Sequence, residues 1–346
     1  MTHTRLHSAV LRSMAALAPL TLVAAAEPSA APMPGVSPGE VIAAAPAGHW
    51  VPIAPADLLV MELAPDAAGK PRRVLIQLIA APISEPWVAN IRKLAAAHWW
   101  DGTAIVRVQD NYVVQWGDPD GEDAAKAKPL PKGVVALSET DGLRKRDYVV
   151  GLPQDFSDQT GSRFPVPPPR LPADSYARNP HFYKSWPMAN DTKGRAASVA
   201  GEGGGYQAWP VHCYGMVGVG RNISPDMGSG AELYTVIGHA PRHLDRNIAL
   251  VGRVVEGIEH LSSLPRGTGE LGFYETPAER TSIQSVRLAS DLPEAQRPKL
   301  EYLDSTSESF VRYAHARANR RDAFFNIPAG GADICNIPVP IRKITQ

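Results

Sequence analysis

Residues 101–121 (DGTAIVRVQDNYVVQWGDPDG) constrain the fold more than any other stretch of the chain. Two runs rich in β-branched and aromatic residues flank a Gln-Asp-Asn sequence that is typical of a turn, so the stretch predicts an antiparallel hairpin. The hairpin carries two polar side chains, Arg107 and Gln115, on neighbouring strands. Because a sheet interior does not tolerate an unpaired guanidinium, Arg107 either lies at a sheet edge, with solvent or a carboxylate, or belongs to a functional site.

Composition excludes several classes of function. The chain has 346 residues, long enough for one large or two small domains. Its 35 Lys and Arg residues balance 35 Asp and Glu residues, so its charge predicts binding neither to nucleic acid nor to an anionic membrane surface. Possible metal ligands do not cluster at close spacing, and no metal or cofactor is expected.

The first 26 residues are predicted to be a cleaved secretory signal peptide. Arg5 and Arg12 give a positive start, residues 14–25 are apolar, and residues 24–26 offer an Ala-x-Ala cleavage site. The apolar run is too short to span a membrane, so stable membrane insertion is not expected. The signal predicts a periplasmic or secreted protein, with cleavage after Ala26. The alternative is a fortuitous alanine-rich start.

The chain has two cysteines, Cys213 and Cys335. In an oxidising compartment two cysteines commonly pair, so export predicts a disulfide between them. Free structural thiols are the alternative.

Several blocks of residues carry a pattern that goes beyond secondary structure. Residues 105–118 keep the Arg, the Gln and the Gly-Asp of the pattern F-H-R-V, turn, F-M-I-Q-G-G-D. Residues 229–236 (SGAELYTV) stand where that pattern continues with N-G-S-Q-F-F-I-T, and residues 243–248 (HLDRNI) where it has W-L-D-G-K-H. Residues 251–258 (VGRVVEGI) match F-G-x-V-V-E-G-M closely. The order of these blocks resembles that of the cyclophilin family of peptidyl-prolyl isomerases.

The resemblance to cyclophilins covers residues 74–119 and 213–288, roughly half of the mature chain. It implies a mainly β fold, a closed eight-stranded antiparallel barrel with two capping helices, which we expect at residues 84–98 and 258–264. Apolar residues recur at helical spacing in the first of these segments, and Ser84 can cap it.

The rest of the chain lies outside the family pattern. Residues 27–56 are predicted to be an Ala/Pro-rich linker, residues 57–292 the cyclophilin-like domain, and residues 293–346 a C-terminal extension. Within the domain, residues 121–210 are rich in Pro, Gly and charge and form a large insertion, since the family has a much shorter connection there. A glycine run at 201–205 is interpreted as a flexible turn, because no Lys-Ser/Thr follows it as in a phosphate loop.

A helix is predicted in the C-terminal extension. Ser305 and Glu308 fit a capping box at its start. The apolar residues that follow at helical spacing are Phe310, Val311, Ala314 and Ala318.

The resemblance implies a catalytic mechanism without nucleophile or metal. A prolyl peptide bond rotates slowly because its C–N bond has partial double-bond character, with a barrier of about 20 kcal/mol. Twisting the amide returns the lone pair to the proline nitrogen, so a donor aimed at that nitrogen binds the transition state better than either planar form. By resemblance Arg107 is that donor, and Gln115 positions it and contacts the substrate carbonyl. The partners would be proline-containing peptides or unfolded exported proteins.

The substrate-binding residues implied by the resemblance are Tyr112, Val113, Gly220, Arg221, Glu232, Leu233, Tyr234, His243 and Leu244. Tyr112, Val113, Leu233 and Tyr234 would form the proline pocket, with Leu244 as a wall. The backbone at Gly220 and Arg221 would pair with the substrate as a short strand. His243 replaces the usual Trp of the family, and Ile248 replaces its pocket His. Glu232 replaces a Gln, and its charge can attract Arg107.

Two functions follow from this pattern. The retained Arg107 and Gln115 favour a peptidyl-prolyl isomerase that acts on X-Pro bonds of exported proteins during folding. The altered pocket favours a catalytically weak protein-binding module on the same barrel, with the insertion as its interface. An isomerisation assay on short X-Pro peptides separates the two.

Overall fold

The computed structural model of the protein describes residues 35–139, 150–152, 174–190 and 206–344. The predicted signal peptide and the glycine run at 201–205 lie outside the described residues. None of the described helices is long and apolar enough to cross a membrane.

The described helices, in chain order, are α1 (Pro38–Ala43), α2 (Glu85–Ala96), α3 (Glu259–Ser262) and α4 (Glu308–Ala318). The described strands are β1 (Trp50–Pro52), β2 (Leu58–Leu63), β3 (Arg72–Leu78), β4 (Ala104–Val108), β5 (Val113–Gly117), β6 (Leu137–Ser138), β7 (Val150–Leu152), β8 (Asn179–Tyr183), β9 (Trp186–Asn190), β10 (Tyr206–Pro210), β11 (Met216–Val219), β12 (Asp226–Gly228), β13 (Leu233–Val236), β14 (Leu250–Glu256), β15 (Thr281–Leu288), β16 (Leu300–Leu303) and β17 (Ile341–Lys343). Short 3-10 turns lie at Ala47–His49, Pro55–Asp57, Arg242–Leu244, Glu270–Gly272, Pro277–Glu279, Ala289–Asp291, Glu294–Gln296 and Ile334–Asn336.

Eight strands close into an antiparallel barrel in the order β11, β13, β5, β4, β15, β2, β3 and β14. The predicted hairpin forms its β4–β5 pair, in which Arg107 lies opposite Gln115. Closure removes exposed strand edges, so all the ladder hydrogen bonds of the barrel are made within the chain. The barrel confirms the predicted fold.

Apolar side chains that alternate along the strands fill the barrel interior. Met61 of β2 and Trp116 of β5 are 0% and 1% exposed, and they belong to one continuous core. The apolar face of α2 packs on the same core through Trp87 and Ile91. Fully burying side chains of this kind stabilises a fold by about 1.5–3 kcal/mol each.

Helix α2 begins at the predicted position, but Ser84 does not cap it through its side chain. Ser84 has a left-handed backbone with φ 50°, and its side chain makes no capping hydrogen bond. Glu85 and Pro86 follow, and a proline suits the first turn because its missing N–H would have no partner inside the helix. The second predicted helix is shorter than expected: α3 spans Glu259–Ser262 rather than 258–264.

A second hydrophobic cluster lies outside the barrel core. Val41 of α1, Trp50 of β1 and Phe310 of α4 are buried together, and Phe182 of the insertion packs against them. The linker predicted at 27–56 is therefore regular structure in its second half. It packs on the C-terminal extension, and its Ile53 is also buried with Val60 and Leu75 of the barrel strands.

Ser307 caps helix α4, and the predicted capping box of Ser305 and Glu308 is wrong. The hydroxyl of Ser307 accepts a hydrogen bond from the N–H of Phe310 at 3.1 Å. Ser305 is unavailable because its hydroxyl accepts from the N–H of Ser185 in the insertion at 3.0 Å. The predicted apolar face is buried at Phe310, Val311, Ala314 and Ala318.

Cys213 and Cys335 form the predicted disulfide, with their Cα atoms 5.1 Å apart and a sequence separation of 122. Cys213 precedes β11 of the barrel, and Cys335 lies in the 3-10 turn Ile334–Asn336 of the extension. The disulfide therefore links the C-terminal extension covalently to the barrel.

Strands β7 to β10 form the four-stranded sheet of the insertion, in the order β7, β10, β9 and β8. A buried guanidinium joins this sheet to the barrel. Arg253 of β14 donates to Gln77 Oε1 at 2.9 and 2.7 Å and to the carbonyl of Ser185 at 2.7 Å, and it stacks 4.4 Å from the ring centroid of Trp186. Burial lowers the pKa of Arg253 to about 9, so the group is still a cation at neutral pH.

Candidate active site

Arg107 and Gln115 face each other across two neighbouring strands of the barrel. The Nη1 of Arg107 donates to Gln115 Oε1 at 3.3 Å. The Nε donates to the carbonyl of Leu271 at 2.7 Å, and Nη2 donates to Gln109 Oε1. A guanidinium has five N–H groups, so these three bonds fix the side chain and leave two N–H groups for a ligand.

Two aromatic rings flank the guanidinium of Arg107. Its Cζ lies 5.7 Å from the ring centroid of Tyr112 and 5.2 Å from that of Phe273. Burial lowers the pKa of Arg107, and Tyr112 opposes that shift. Leu271 and Phe273 are absent from the predicted site, since Leu271 is 164 residues from Arg107 along the chain and no local pattern connects them. The sequence indicates only a turn at Gln109.

Glu232 contacts Gln115 rather than Arg107. The Nε2 of Gln115 donates to Glu232 Oε2 at 3.0 Å. In the described part of the chain no ion pair joins Glu232 to Arg107. A carboxylate only accepts hydrogen bonds, so Glu232 sets the Gln115 amide with its NH₂ towards the carboxylate and its oxygen towards Arg107. Burial raises the pKa of Glu232, and the bond from Gln115 partly offsets this.

An apolar pocket adjoins Arg107. The buried side chains of this pocket are Val113, Tyr234 and Val236. The half-buried side chains that border them are Tyr112, Leu244 and Ile248. Strands β5 and β13 bring them together, because Val113 pairs with Val236 and Gln115 with Tyr234. Val236 was not predicted. It follows Tyr234 by two residues in a strand and so faces the same side, which is the signal that identifies it.

Leu233 does not line this pocket. It is 2% exposed and lies in the barrel core. Successive residues of a strand point to opposite faces, so Leu233 and Tyr234 cannot both face the pocket. The prediction of Leu233 as a pocket residue is wrong.

The 3-10 turn Arg242–Leu244 forms one side of the pocket. Leu244 is half-buried against the pocket cluster. His243 is exposed and stacks on Tyr112, with ring centroids 6.3 Å apart and ring planes 10° apart. This stack places both rings at the mouth of the pocket.

An open groove of about 550 Å³ holds the polar half of the site. Predicted site residues that line it are Arg107, Gln115, Gly220, Arg221 and Glu232. Lys128 and Leu130 of the insertion line it as well. Glycine is needed at 220, because a Cβ there would lie 2.9 Å from the Cβ of Glu232. Groove and pocket together contain every predicted catalytic and substrate-binding residue except Leu233, with His243 at the pocket mouth.

The floor of the pocket carries one polar atom. Tyr234 is buried, and its hydroxyl lies 2.8 Å from Nε2 of His212, a residue that sequence reasoning missed. The ring lies over Gly218, where a Cβ would be 2.3 Å from Tyr234 Cζ. Burial raises the pKa of Tyr234 well above that of an ordinary tyrosine, so the group is a neutral hydroxyl.

Within the described ranges no three or more His, Cys, Asp or Glu side chains are grouped so that they could hold a metal ion. The geometry offers a fixed cation, an oriented amide and an apolar pocket. These groups bind and polarise a neutral ligand, and they do not provide an activated nucleophile.

The sequence model of the family described as "Cyclophilin type peptidyl-prolyl cis-trans isomerase/CLD" matches residues 80–288, more than half of the chain. The chain belongs to this family. It is a cyclophilin-type peptidyl-prolyl cis-trans isomerase, as the resemblance implied.

One solved structure supports the fold of this cyclophilin, and a second is less similar. The cyclophilin AquaCyp293 from Hirschia baltica is 20% identical, with a TM-score of 0.57 over 90% of this chain and 100% of that one. A cyclophilin-type peptidyl-prolyl cis-trans isomerase from Cryptosporidium parvum is 10% identical, with a TM-score of 0.35 over 67% of this chain and 96% of that one. No curated protein matches the chain.

Proposed function

We propose that this cyclophilin isomerises X-Pro bonds in exported proteins and so assists their folding outside the cytoplasm. The observation that carries the proposal is the position of Arg107, a cation held by three hydrogen bonds beside an open groove and an apolar pocket. Two features support export: the signal-peptide pattern at 1–26, and the disulfide Cys213–Cys335, a bond that persists in oxidising compartments.

In the proposed reaction the proline ring enters the pocket between Val113, Tyr234 and Leu244. An N–H group of Arg107 not used by its protein partners points at the proline nitrogen. That nitrogen has no available lone pair in either planar amide and acquires one when the amide twists. The hydrogen bond is therefore made in the transition state and is absent from the ground state, which is the condition for a gain in kcat.

Gln115 has two tasks in this mechanism. Its oxygen holds Nη1 of Arg107, and Glu232 keeps that oxygen in place by accepting from the other end of the amide. Without Glu232 the amide can flip and present its NH₂ to a guanidinium, where two donors face each other. In this cyclophilin Glu232 acts on Arg107 through Gln115.

The substrate chain lies along the backbone at Gly220 and Arg221. The N–H of Gly220 already donates to the carbonyl of Glu232 at 2.9 Å. The groups that can pair with substrate are therefore the carbonyl of Gly220 and the N–H and carbonyl of Arg221. They hold the residues before the proline while the amide rotates.

The proposed activity is tested on the mature chain with a set of X-Pro tetrapeptides and with a protein whose refolding is limited by prolyl isomerisation. We expect acceleration of both reactions. Export is tested separately, by fractionating cells that make the full-length chain and sequencing the N-terminus of the recovered protein. We expect cleavage after Ala26. A full-length protein confined to the cytoplasm would contradict the exported role and leave the isomerase activity standing.

One observation favours the second function, a catalytically weak binding module. The insertion lines the groove through Lys128 and Leu130, so a chain that fills the groove beside Arg107 also contacts the insertion. Binding of proline-containing peptides with no acceleration of isomerisation would establish this second function in place of the first.

A further inference from the structure

A chain of buried polar groups runs from the pocket floor to the insertion. The hydroxyl of Tyr234 lies 2.8 Å from Nε2 of His212, and Nδ1 of His212 lies 2.8 Å from Oδ1 of Asp245. Arg242 Nε donates to the other carboxylate oxygen of Asp245 at 2.5 Å. Nη2 of Arg242 lies 2.8 Å from Oδ2 of Asp174, as an ion pair rather than an aligned hydrogen bond. Asp174 belongs to the insertion.

The direction of the bonds at His212 follows from its surroundings. His212 is 0% exposed, and burial lowers its pKa, with Asp245 opposing the shift and Arg242 and His243 adding to it. The ring is therefore neutral. The Asp245 carboxylate only accepts, so Nδ1 carries the proton, and Nε2 accepts the proton of the Tyr234 hydroxyl. The Tyr234 hydroxyl is thus oriented by a residue that itself has one allowed tautomer.

Arg242 is clamped between two carboxylates. The side chains of Arg242, Asp245 and Asp174 are 4%, 3% and 4% exposed. Burial lowers the pKa of Arg242, but the charges of Asp245 and Asp174 outweigh burial and raise it overall. Tyr176, also in the insertion, lies with its ring centroid 5.4 Å from the guanidinium. Two residues of the insertion therefore hold a single arginine of the barrel domain.

That arginine begins the 3-10 turn Arg242–Leu244, which carries His243 and Leu244 at the edge of the pocket. The same series of buried polar groups, from Tyr234 to Asp174, therefore contacts the pocket at two points. One end orients Tyr234 in the floor, and Arg242 anchors the turn that forms the side.

We propose that Asp174 is a positioning residue for prolyl isomerisation, and that through Arg242, Asp245 and His212 the insertion braces the floor and the side of the proline pocket. This inference rests on the proposed function of the site. Asp174 does not contact substrate. It acts by holding the two surfaces between which the proline ring binds.

The test is Asp174→Asn in the mature chain, assayed over a range of X-Pro peptide concentrations so that kcat and KM are separated. The pocket contacts the proline ring in the ground state and in the transition state alike, so loosening it raises KM and spares kcat. We expect KM to rise about three- to tenfold with kcat within about twofold. Asp322→Asn is the matched control, since Asp322 pairs with Arg320 in the C-terminal extension, and it should leave both constants unchanged.

A purely structural role gives a different result. If Asp174 only holds the insertion to the barrel, the variant loses folded protein, which lowers apparent kcat and leaves KM unchanged. That result, or unchanged constants in a fully folded variant, would overturn the inference. Tyr176→Ala covers the case in which Asp174→Asn does not fold. Tyr176 is 49% exposed, so its loss should raise KM only about twofold. An unchanged KM in this variant would contradict the proposal that the insertion positions the pocket. An inactive wild type would refute the proposed isomerase function itself, and with it any positioning role in that reaction.

Discussion

Replacing Arg107 by Ala is the sharpest test of the mechanism. Three N–H groups of Arg107 bond to Leu271, Gln115 and Gln109, which leaves two for substrate. Removing a donor that acts only in the transition state lowers turnover by about a hundred- to a thousandfold, or about 2.7–4 kcal/mol. We expect that loss in kcat for Arg107→Ala, with KM within a few fold, because the pocket that binds the proline ring remains.

Arg107→Lys should recover little of the activity. A lysine ammonium is a single point on a flexible stem and cannot reach three separate acceptors while it also points at the proline nitrogen. The lysine is expected to bond to the Leu271 carbonyl or to Gln115 and to leave the substrate uncontacted. The loss on Arg107→Lys should be within about tenfold of the loss on Arg107→Ala.

The assay is the cis-to-trans rate of X-Pro peptides, measured by exchange between the two isomers in solution so that no protease is needed. Thermal unfolding checks that each variant is folded, and the half-buried position of Arg107 predicts a small effect on stability. Arg73→Ala is the matched control: Arg73 makes an exposed ion pair with Glu62 on the barrel surface and should retain full activity. If Arg107→Ala isomerises peptides as fast as the wild type, the mechanism is wrong.

Three further predictions concern single positions. Glu232→Gln should change kcat/KM by less than about fivefold, because the amide oxygen of a glutamine can accept the same hydrogen bond from Gln115. A large gain in rate would contradict this and would mean that Glu232 restrains Arg107 in solution. Unaltered protein should bind the cyclic peptide cyclosporin weakly, and His243→Trp should tighten binding. The Trp of the family donates an indole N–H, whereas the smaller histidine ring donates only in some tautomers. Calorimetry that finds tight binding by the wild type would contradict this prediction. Cys335→Ser should lower the free energy of unfolding by about 5 kcal/mol on chain-entropy grounds, because the disulfide closes a separation of 122 residues; equal denaturation midpoints with and without the disulfide would contradict this.

Much of the barrel is predictable because alternation along a strand decides which side chains face the core. Ile76 and Val286 lie in strands for that reason. The same rule corrects one error: neighbouring residues in β13 point to opposite faces, so Tyr234 faces the pocket and Leu233 cannot. Family resemblance gave Leu233 a role that the geometry of a strand excludes.

The start of α4 was mispredicted for a different reason. Ser305 and Ser307 are both serines a few residues before the same apolar run, and only Ser305 is predicted as the cap. The choice depends on a partner 120 residues away, since Ser305 accepts from the N–H of Ser185 and is thereby removed from the helix. Competition between a local cap and a distant hydrogen bond is decided only in the folded chain.

Long-range contacts also explain what was missed at the site. Leu271 and Phe273 contact Arg107 from a distant part of the chain, without any shared spacing in sequence. Gln109 lies only two residues from Arg107, and the turn interpretation alone gives it no role at the site. His212 gave no signal either, because a single histidine beside a cysteine is an ordinary core residue. Arg107 itself is identifiable from the sequence because a charged side chain in an apolar hairpin needs a partner or solvent. Its partners are neutral, so the sequence does not single them out.

The neutrality of those partners makes Arg107 suitable for its proposed role. All three of its hydrogen-bond acceptors are uncharged oxygens, two from side-chain amides and one from a backbone carbonyl. A carboxylate partner would neutralise the cation and compete with any lone pair that develops on the substrate. The carboxylate of Glu232 bonds to Gln115, which in turn bonds to Arg107, so the Gln115 amide lies between the two charged groups. The faces of Tyr112 and Phe273 offset part of the desolvation of the guanidinium without cancelling its charge. In the proposed mechanism, a positive charge that is held in place and not neutralised therefore meets the proline nitrogen when its lone pair appears.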